Sequence, residues 1–173
     1  MIIKSDLAGV GHHPRLQKTR LILFGLALKV TAVVLIFLLI GVNPNWSFGL
    51  ASAYENETIS SFFEVQDLLI TLIAAPVLEN LPLLAIVAVV SKFTLSKNAF
   101  LVLCVIACGI YGFTVHGYNL GAINGAVLFS GVGATIVASS SYGIKASYVD
   151  ALIVHFVFNA VSIVFSMMLI WIY

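Results

Sequence analysis

Four polar side chains stand in or at the end of stretches that are otherwise apolar: Glu79, His116, His155 and Asn159. An ionisable group at the depth of a lipid bilayer costs about 3 kcal/mol or more, so such a residue marks a functional site by default. A carboxylate oriented by an imidazole can deprotonate a water, and imidazole or amide N–H groups can stabilise an oxyanion. His155 and Asn159 are four residues apart, so they share one helix face. Convergence of all four in a hydrated cavity predicts hydrolysis; the alternative is that each only hydrogen-bonds between helices.

Prolines flank the glutamate, because Pro76 precedes Glu79 by three residues and Pro82 follows it by three. Each proline lacks a backbone N–H and disturbs the preceding turn, which frees carbonyl groups near the carboxylate. We expect a kink that opens a cavity beside Glu79. The alternative is a proline-kinked helix without chemistry.

The composition indicates an integral membrane protein. Of 173 residues, 61% are apolar and only 9% are charged, whereas soluble domains carry about 25% charged residues. The net charge of +1 gives no indication of nucleic-acid binding. We predict an all-α, polytopic transmembrane helical bundle, with a basic cytoplasmic tail over residues 1–20 and a single transmembrane domain over residues 21–173.

Five apolar segments are long enough to span a bilayer, which takes about 20 residues. They cover residues 21–42, 63–90, 99–116, the segment after residue 121 to about 138, and 148–171. A sixth, re-entrant segment is a further alternative. The first segment competes with a signal peptide, but its apolar region is longer than a signal requires. Lys29 lies inside that segment and either faces the bundle or extends toward the cytoplasmic side.

The positive charges indicate the orientation. Seven of the eight Lys and Arg residues fall in the N-terminal tail or in the loops at 91–98 and 139–147; Lys29 is the exception. With five spans, these three regions lie on one side, which the positive-inside rule assigns to the cytoplasm. The N-terminus is therefore predicted to be cytoplasmic.

The two cysteines, Cys104 and Cys108, are four residues apart inside an apolar segment. This spacing places them on one helix face, where buried, unpaired thiols are the simplest interpretation. A disulfide across one helical turn would have poor geometry.

Three short motifs resemble those of the CPBP family, the membrane proteins that include CAAX proteases and bacteriocin-processing (Abi) proteins. The run from Ala75 to Asn80 is similar to the family's first motif, in which an Ala-Pro pair precedes two glutamates and an arginine. His116 resembles the histidine of the Phe-x-x-x-His motif, and His155 with Asn159 fits His-x-x-x-Asn. The resemblance covers about residues 65–165.

The first two motifs depart from the family pattern. Asn80 stands where the family has its second glutamate, and Leu84 stands at the arginine position. Because both charges are missing together, neither would be left buried and unpaired. In the second motif Gly112 replaces the phenylalanine, and Tyr111 or Phe113 is the candidate substitute.

The resemblance implies roles for the four residues. Glu79 and His116 would activate the water, and His155 and Asn159 would form the oxyanion hole. The implied mechanism is of the glutamate type and uses no cofactor. Zinc held by Glu79, His116 and His155 is the alternative, since one carboxylate and two imidazoles can leave an open metal position.

The predicted depths of these residues differ. At about 1.5 Å per residue, His155 lies shallow from the cytoplasmic side, Glu79 near the middle and His116 near the outer face. Either helix stagger and the proline kink bring them level, or the span limits are displaced, or His116 lies outside the site.

We therefore expect an intramembrane endopeptidase in the plasma membrane of a bacterium or archaeon. Its substrate would be a membrane-associated peptide: a CAAX-like protein, a C-terminal sorting tail or a peptide precursor. Its partners would be that substrate and the lipid bilayer, without nucleic acid. One alternative is a non-catalytic bacteriocin self-immunity protein of the same fold. A small proton-coupled transporter is disfavoured, because the two halves show no inverted repeat.

Overall fold

The computed structural model describes residues 14–42, 68–93, 95–116 and 120–172. Those ranges are helical apart from short connections and contain no strand. The five α-helices are α1 (Pro14–Val42), α2 (Ala75–Val90), α3 (Lys97–Val115), α4 (Leu120–Ser139) and α5 (Ile144–Ile172), and a π-helical turn, Ile70–Ala74, leads directly into α2. Five helical segments are long and apolar enough to cross a membrane. The chain is therefore an all-α, multi-pass membrane protein, as its composition predicts.

The helix limits differ from the predicted spans mainly at the ends. Helix α1 begins at Pro14, seven residues before the predicted span, because proline is well suited to the first turn of a helix. The predicted loop at 139–147 is much shorter than expected. A 3₁₀ turn, Ser140–Tyr142, follows α4 directly, and Gly143 then reverses the chain at a φ of 96° that favours glycine. Residues 63–67 of the predicted second span lie outside the described residues.

Helix α4 is central among the described helices, since it contacts each of the other four. Its closest neighbour is α3, because glycines allow the two backbones to meet. A Cβ atom on Gly112 would collide with the carbonyl of Gly125, and Gly133 packs against Cys108. Such close contacts are typical of small residues between membrane helices. Cys104 and Cys108 are both buried and unpaired, as predicted.

Helix α1 packs against α4 and α5 and carries a buried lysine. Lys29 is only 6% exposed. Its Nζ donates a hydrogen bond to Asn124 Oδ1 at 3.2 Å and lies 5.0 Å from the ring centroid of Phe158. Of the two predicted alternatives, the structure shows the one in which Lys29 faces the bundle. One amide oxygen and one aromatic face are its partners among the described residues.

The π-helical turn before α2 exposes a backbone carbonyl. The N–H of Ala75 donates to the carbonyl of Ile70, five residues earlier. In the same pattern the carbonyl of Thr71 would accept from the N–H of residue 76. Residue 76 is Pro76, which has no N–H. Asn159 of α5 replaces it, because its Nδ2 donates to the Thr71 carbonyl at 2.9 Å. Proline thus leaves a carbonyl without a backbone donor eight residues before Glu79, and the partner of that carbonyl is a side chain.

The buried lysine predicts that substitutions of Lys29 and of its acceptor Asn124 affect the free energy of unfolding differently. Lys29→Met should leave the free energy of unfolding unchanged or raise it, because an apolar side chain of similar length removes a buried charge. Asn124→Leu should lower it by about 1–3 kcal/mol, since the ammonium loses its hydrogen-bond acceptor. Detergent-titrated unfolding in mixed micelles measures both, and the double variant should recover most of the loss. A greater loss in Lys29→Met than in Asn124→Leu would contradict this account.

The Thr71 carbonyl predicts an energetic coupling between Pro76 and Asn159. Asn159→Leu should lower the free energy of unfolding by about 1 kcal/mol, the usual scale of hydrogen bonds between membrane helices. The cost should shrink in a Pro76→Ala background, because the new backbone N–H can serve Thr71. Pro82→Ala is the matched control, since that proline lies in the same helix away from the carbonyl. An equal cost of Asn159→Leu in all three backgrounds would rule the coupling out.

Candidate functional site

Helix α2 carries two adjacent polar residues that differ in burial. Asn80 is fully buried, whereas the side chain of Glu79 is 35% exposed. Consecutive residues of an α-helix point about 100° apart, so one side chain enters the bundle while its neighbour stays at the edge. The two prolines three residues from Glu79 are both accommodated, Pro76 at the start of α2 and Pro82 within it.

His155 of α5 contacts both of these residues. Its imidazole is fully buried. Its Nδ1 lies 2.8 Å from Oδ1 of Asn80, and its Nε2 lies 3.4 Å from Oε2 of Glu79. One ring nitrogen of the buried imidazole thus meets an amide oxygen of α2, whereas Nε2 is buried beside the carboxylate and has no hydrogen-bond partner among the described residues.

The donor and acceptor roles at His155 depend on the tautomer of its ring. An amide oxygen only accepts hydrogen bonds, so with Oδ1 of Asn80 facing the ring the matching tautomer carries its proton on Nδ1. In the neutral ring, Nε2 then has a lone pair directed toward the Glu79 carboxylate. Two acceptors at this distance repel each other unless a proton lies between them or a water beside them donates to both. The pair therefore has the chemistry of a two-point acceptor for water.

An aromatic ring links His155 to the second histidine. Phe129 of α4 packs edge-on against His155 at a centroid distance of 5.7 Å and against His116 at 5.5 Å. Tyr111 stacks on the same ring at 5.8 Å. His116 itself ends α3, where its ring lies close to Gly125. The aromatic partner of His116 thus comes from α4.

The glycine that departs from the family motif is explained by packing. Gly112 meets the backbone of Gly125, where any larger side chain would collide. A phenylalanine at this position would push α3 away from α4. Phe129 of α4 provides an aromatic ring beside His116.

The four predicted residues are brought together only in part. Glu79 and His155 meet directly, so the predicted difference in their depth does not separate them. Asn159 lies one turn further along α5 and binds the Thr71 carbonyl, which leaves its amide a second N–H. Among the described side chains, no hydrogen bond joins His116 to the other three. The resemblance pairs Glu79 with His116, whereas the described contacts pair Glu79 with His155.

Asn80 is the residue of this site whose role the sequence did not reveal. It appeared as a departure from the family's second glutamate, yet it makes the shortest polar contact of His155. The sequence did contain an indication of a contact for Asn80, because a polar side chain in an apolar span needs a partner inside the protein. Tyr148 adds a further link between α5 and α2, since its hydroxyl donates to the carbonyl of Val77 at 2.7 Å.

The zinc alternative requires Glu79, His116 and His155 around one ion. In the part of the chain that the structure describes, no three His, Cys, Asp or Glu side chains lie close enough together to hold a metal. The described contact of the His116 ring is with Phe129 and not with the Glu79 carboxylate. Whether the chemistry uses a metal stays a prediction.

Comparison of the chain with models of protein families, with curated proteins and with solved structures finds no match in any of the three.

Proposed function

We propose that the protein is an intramembrane endopeptidase of the glutamate type, with a CPBP-like site whose first motif is reduced. The observation that carries the proposal is the contact between the Glu79 carboxylate and Nε2 of His155, 3.4 Å apart within a bundle of membrane-spanning helices. A carboxylate and an unprotonated imidazole nitrogen at this distance can hold one water by both of its hydrogens. Such a water is oriented for deprotonation and attack.

In the proposed reaction the water oxygen attacks the carbonyl carbon of a peptide bond. One proton of the water passes to Glu79, and His155 shares it through Nε2. The carbonyl oxygen becomes an oxyanion, which N–H donors stabilise. Breaking the C–N bond then releases an amine, which takes the proton from the Glu79 and His155 pair. Atoms and charge balance without a metal or another cofactor.

Two further residues are proposed as oxyanion donors. The second N–H of the Asn159 amide is one turn from His155 on the same helix. An N–H of the His116 imidazole is the other candidate, and a shift of α3 relative to Phe129 would bring it nearer. This assignment exchanges the two histidines relative to the roles implied by the family resemblance, because His155 is the one beside Glu79.

The proposed substrate is a peptide or protein anchored in the same membrane. The partial exposure of Glu79 supports this, since the carboxylate lies at the edge of α2 and not in the closed interior. A C-terminal sorting tail, a CAAX-like tail or a peptide precursor fits a site placed within a bilayer. We propose the plasma membrane of a bacterium or archaeon as the location.

The proposal predicts that Glu79→Gln and His155→Gln abolish cleavage. Loss of a general base should lower the rate by about 10²-fold or more. The measurement is cleavage of a co-expressed, membrane-anchored candidate substrate, followed by its change in mass, with equal membrane insertion of each variant verified. Asp150→Asn is the matched control, because that carboxyl binds Ser139 away from the site. It should cleave like the wild type.

Three outcomes would change the assignment. Equal cleavage by wild type and Glu79→Gln would make Glu79 a structural residue and refute the mechanism. Inhibition by a chelator, reversed by zinc, would support the metal alternative. If neither form cleaves any substrate tried but both protect cells from a peptide toxin, the self-immunity function replaces the protease.

A further inference from the structure

We infer that Asn80 is a positioning residue that keeps the proton of His155 on Nδ1, so that Nε2 remains an acceptor beside Glu79. This inference rests on the proposed function for its consequence, but the proton position can be measured without cleavage. Asn80 itself is not placed in contact with the reacting atoms.

The first support is the geometry of the contact. The Asn80 and His155 side chains are both fully buried, and Oδ1 to Nδ1 is 2.8 Å. This is the distance of a well-formed N–H···O hydrogen bond. At full burial the contact cannot be exchanged for one with bulk water, so losing it leaves a buried polar group unsatisfied.

The second support is the arrangement that Asn80 prevents. Without an acceptor at Nδ1, the ring would gain more by placing its proton on Nε2, where the Glu79 carboxylate lies 3.4 Å away. A charge-assisted hydrogen bond between them would be strong. It would also remove the Nε2 lone pair that the water needs and take one of the acceptor sites of the carboxylate. Asn80 thus disfavours a direct hydrogen bond between Glu79 and His155 and leaves both groups available to a water.

The third support is the choice of an amide. A carboxylate at position 80 would also accept from Nδ1, but it would place a second negative charge next to Glu79 at membrane depth, where charges are costly. An amide provides the same acceptor oxygen without charge. Asn80 Nδ2 has no hydrogen-bond partner among the described residues, so Oδ1 makes the one polar contact that these residues show for this side chain.

The experiment is ¹⁵N NMR of histidine-labelled protein in lipid bilayers, at a pH where the imidazole is neutral. His155 is assigned by the signals lost in His155→Gln. Protonated and unprotonated ring nitrogens resonate far apart, so the spectrum reports the proton position directly. We expect the proton on Nδ1 in the wild type. It should stay there in Asn80→Asp, which keeps an acceptor, and move to Nε2 in Asn80→Leu, which has none.

Asn124→Leu is the matched control, because it removes another buried amide that contacts Lys29 and not His155. Its His155 spectrum should equal that of the wild type. A wild-type proton on Nε2 would overturn the inference, since it would mean that the amide presents Nδ2 to the ring. An unchanged proton position in Asn80→Leu would overturn it as well. If the leucine variant fails to fold, the wild type and Asn80→Asp still test the inference, because a proton on Nε2 in either would overturn it.

Cleavage then separates the two proposals. Where Glu79→Gln abolishes cleavage, Asn80→Leu should slow it about tenfold or more, in keeping with the usual effect of residues that orient a catalytic group. Normal cleavage by Asn80→Leu with a moved proton would show that the proton position has no catalytic effect, which refutes the positioning role and leaves the protease standing. Absence of all cleavage, with the expected spectra, refutes the protease and leaves the role of Asn80 toward His155 intact.

Discussion

The polar groups of the α2 segment have to find partners inside the protein, because a bilayer offers none. Helix α5 supplies those partners at three places. Asn159 serves the carbonyl of Thr71, His155 binds Asn80, and Tyr148 reaches the carbonyl of Val77. Each bond joins the same two helices, so their relative position is fixed by polar contacts and not only by apolar packing. The site at Glu79 is a by-product of that requirement, since satisfying Asn80 brings the imidazole beside the carboxylate.

Helix α4 packs against both α2 and α5. Its glycines allow α3 to approach closely, which places the end of α3 and His116 near Phe129. The same Phe129 ring packs against His155. One aromatic side chain therefore contacts both histidines.

Much of the fold could be predicted because membrane spans follow from apolar length alone. The five helices, the shared face of His155 and Asn159 and the burial of the cysteines needed only composition and spacing. What could not be predicted is the pairing between helices. Nothing in the sequence decides whether Glu79 meets His116 or His155, since that depends on how α2 crosses α5. The π-helical turn was equally hidden, because proline predicts a freed carbonyl but not the register in which it is freed.

Asn80 shows how a comparison of motifs can mislead. Considered as a replacement for the second glutamate of the motif, Asn80 indicates the loss of a charged group. Considered as a buried amide next to a buried imidazole, it supplies the oxygen that meets Nδ1 of His155. The sequence contained the residue, but its meaning required the position of a side chain 75 residues away.

The π-helical turn at Ile70–Ala74 also shifts the angular phase of the helix. One additional residue in a turn rotates everything before it by about 100° relative to everything after it. Leu69 before the turn and Ile70 and Ile73 within it have exposed apolar side chains, and these can face lipid on a register of their own. Helix α2 keeps a different register, which directs Asn80 inward. Residues 68–90 thus form one continuous helical segment, in which the π-helical turn sets the facing of the first residues apart from that of α2.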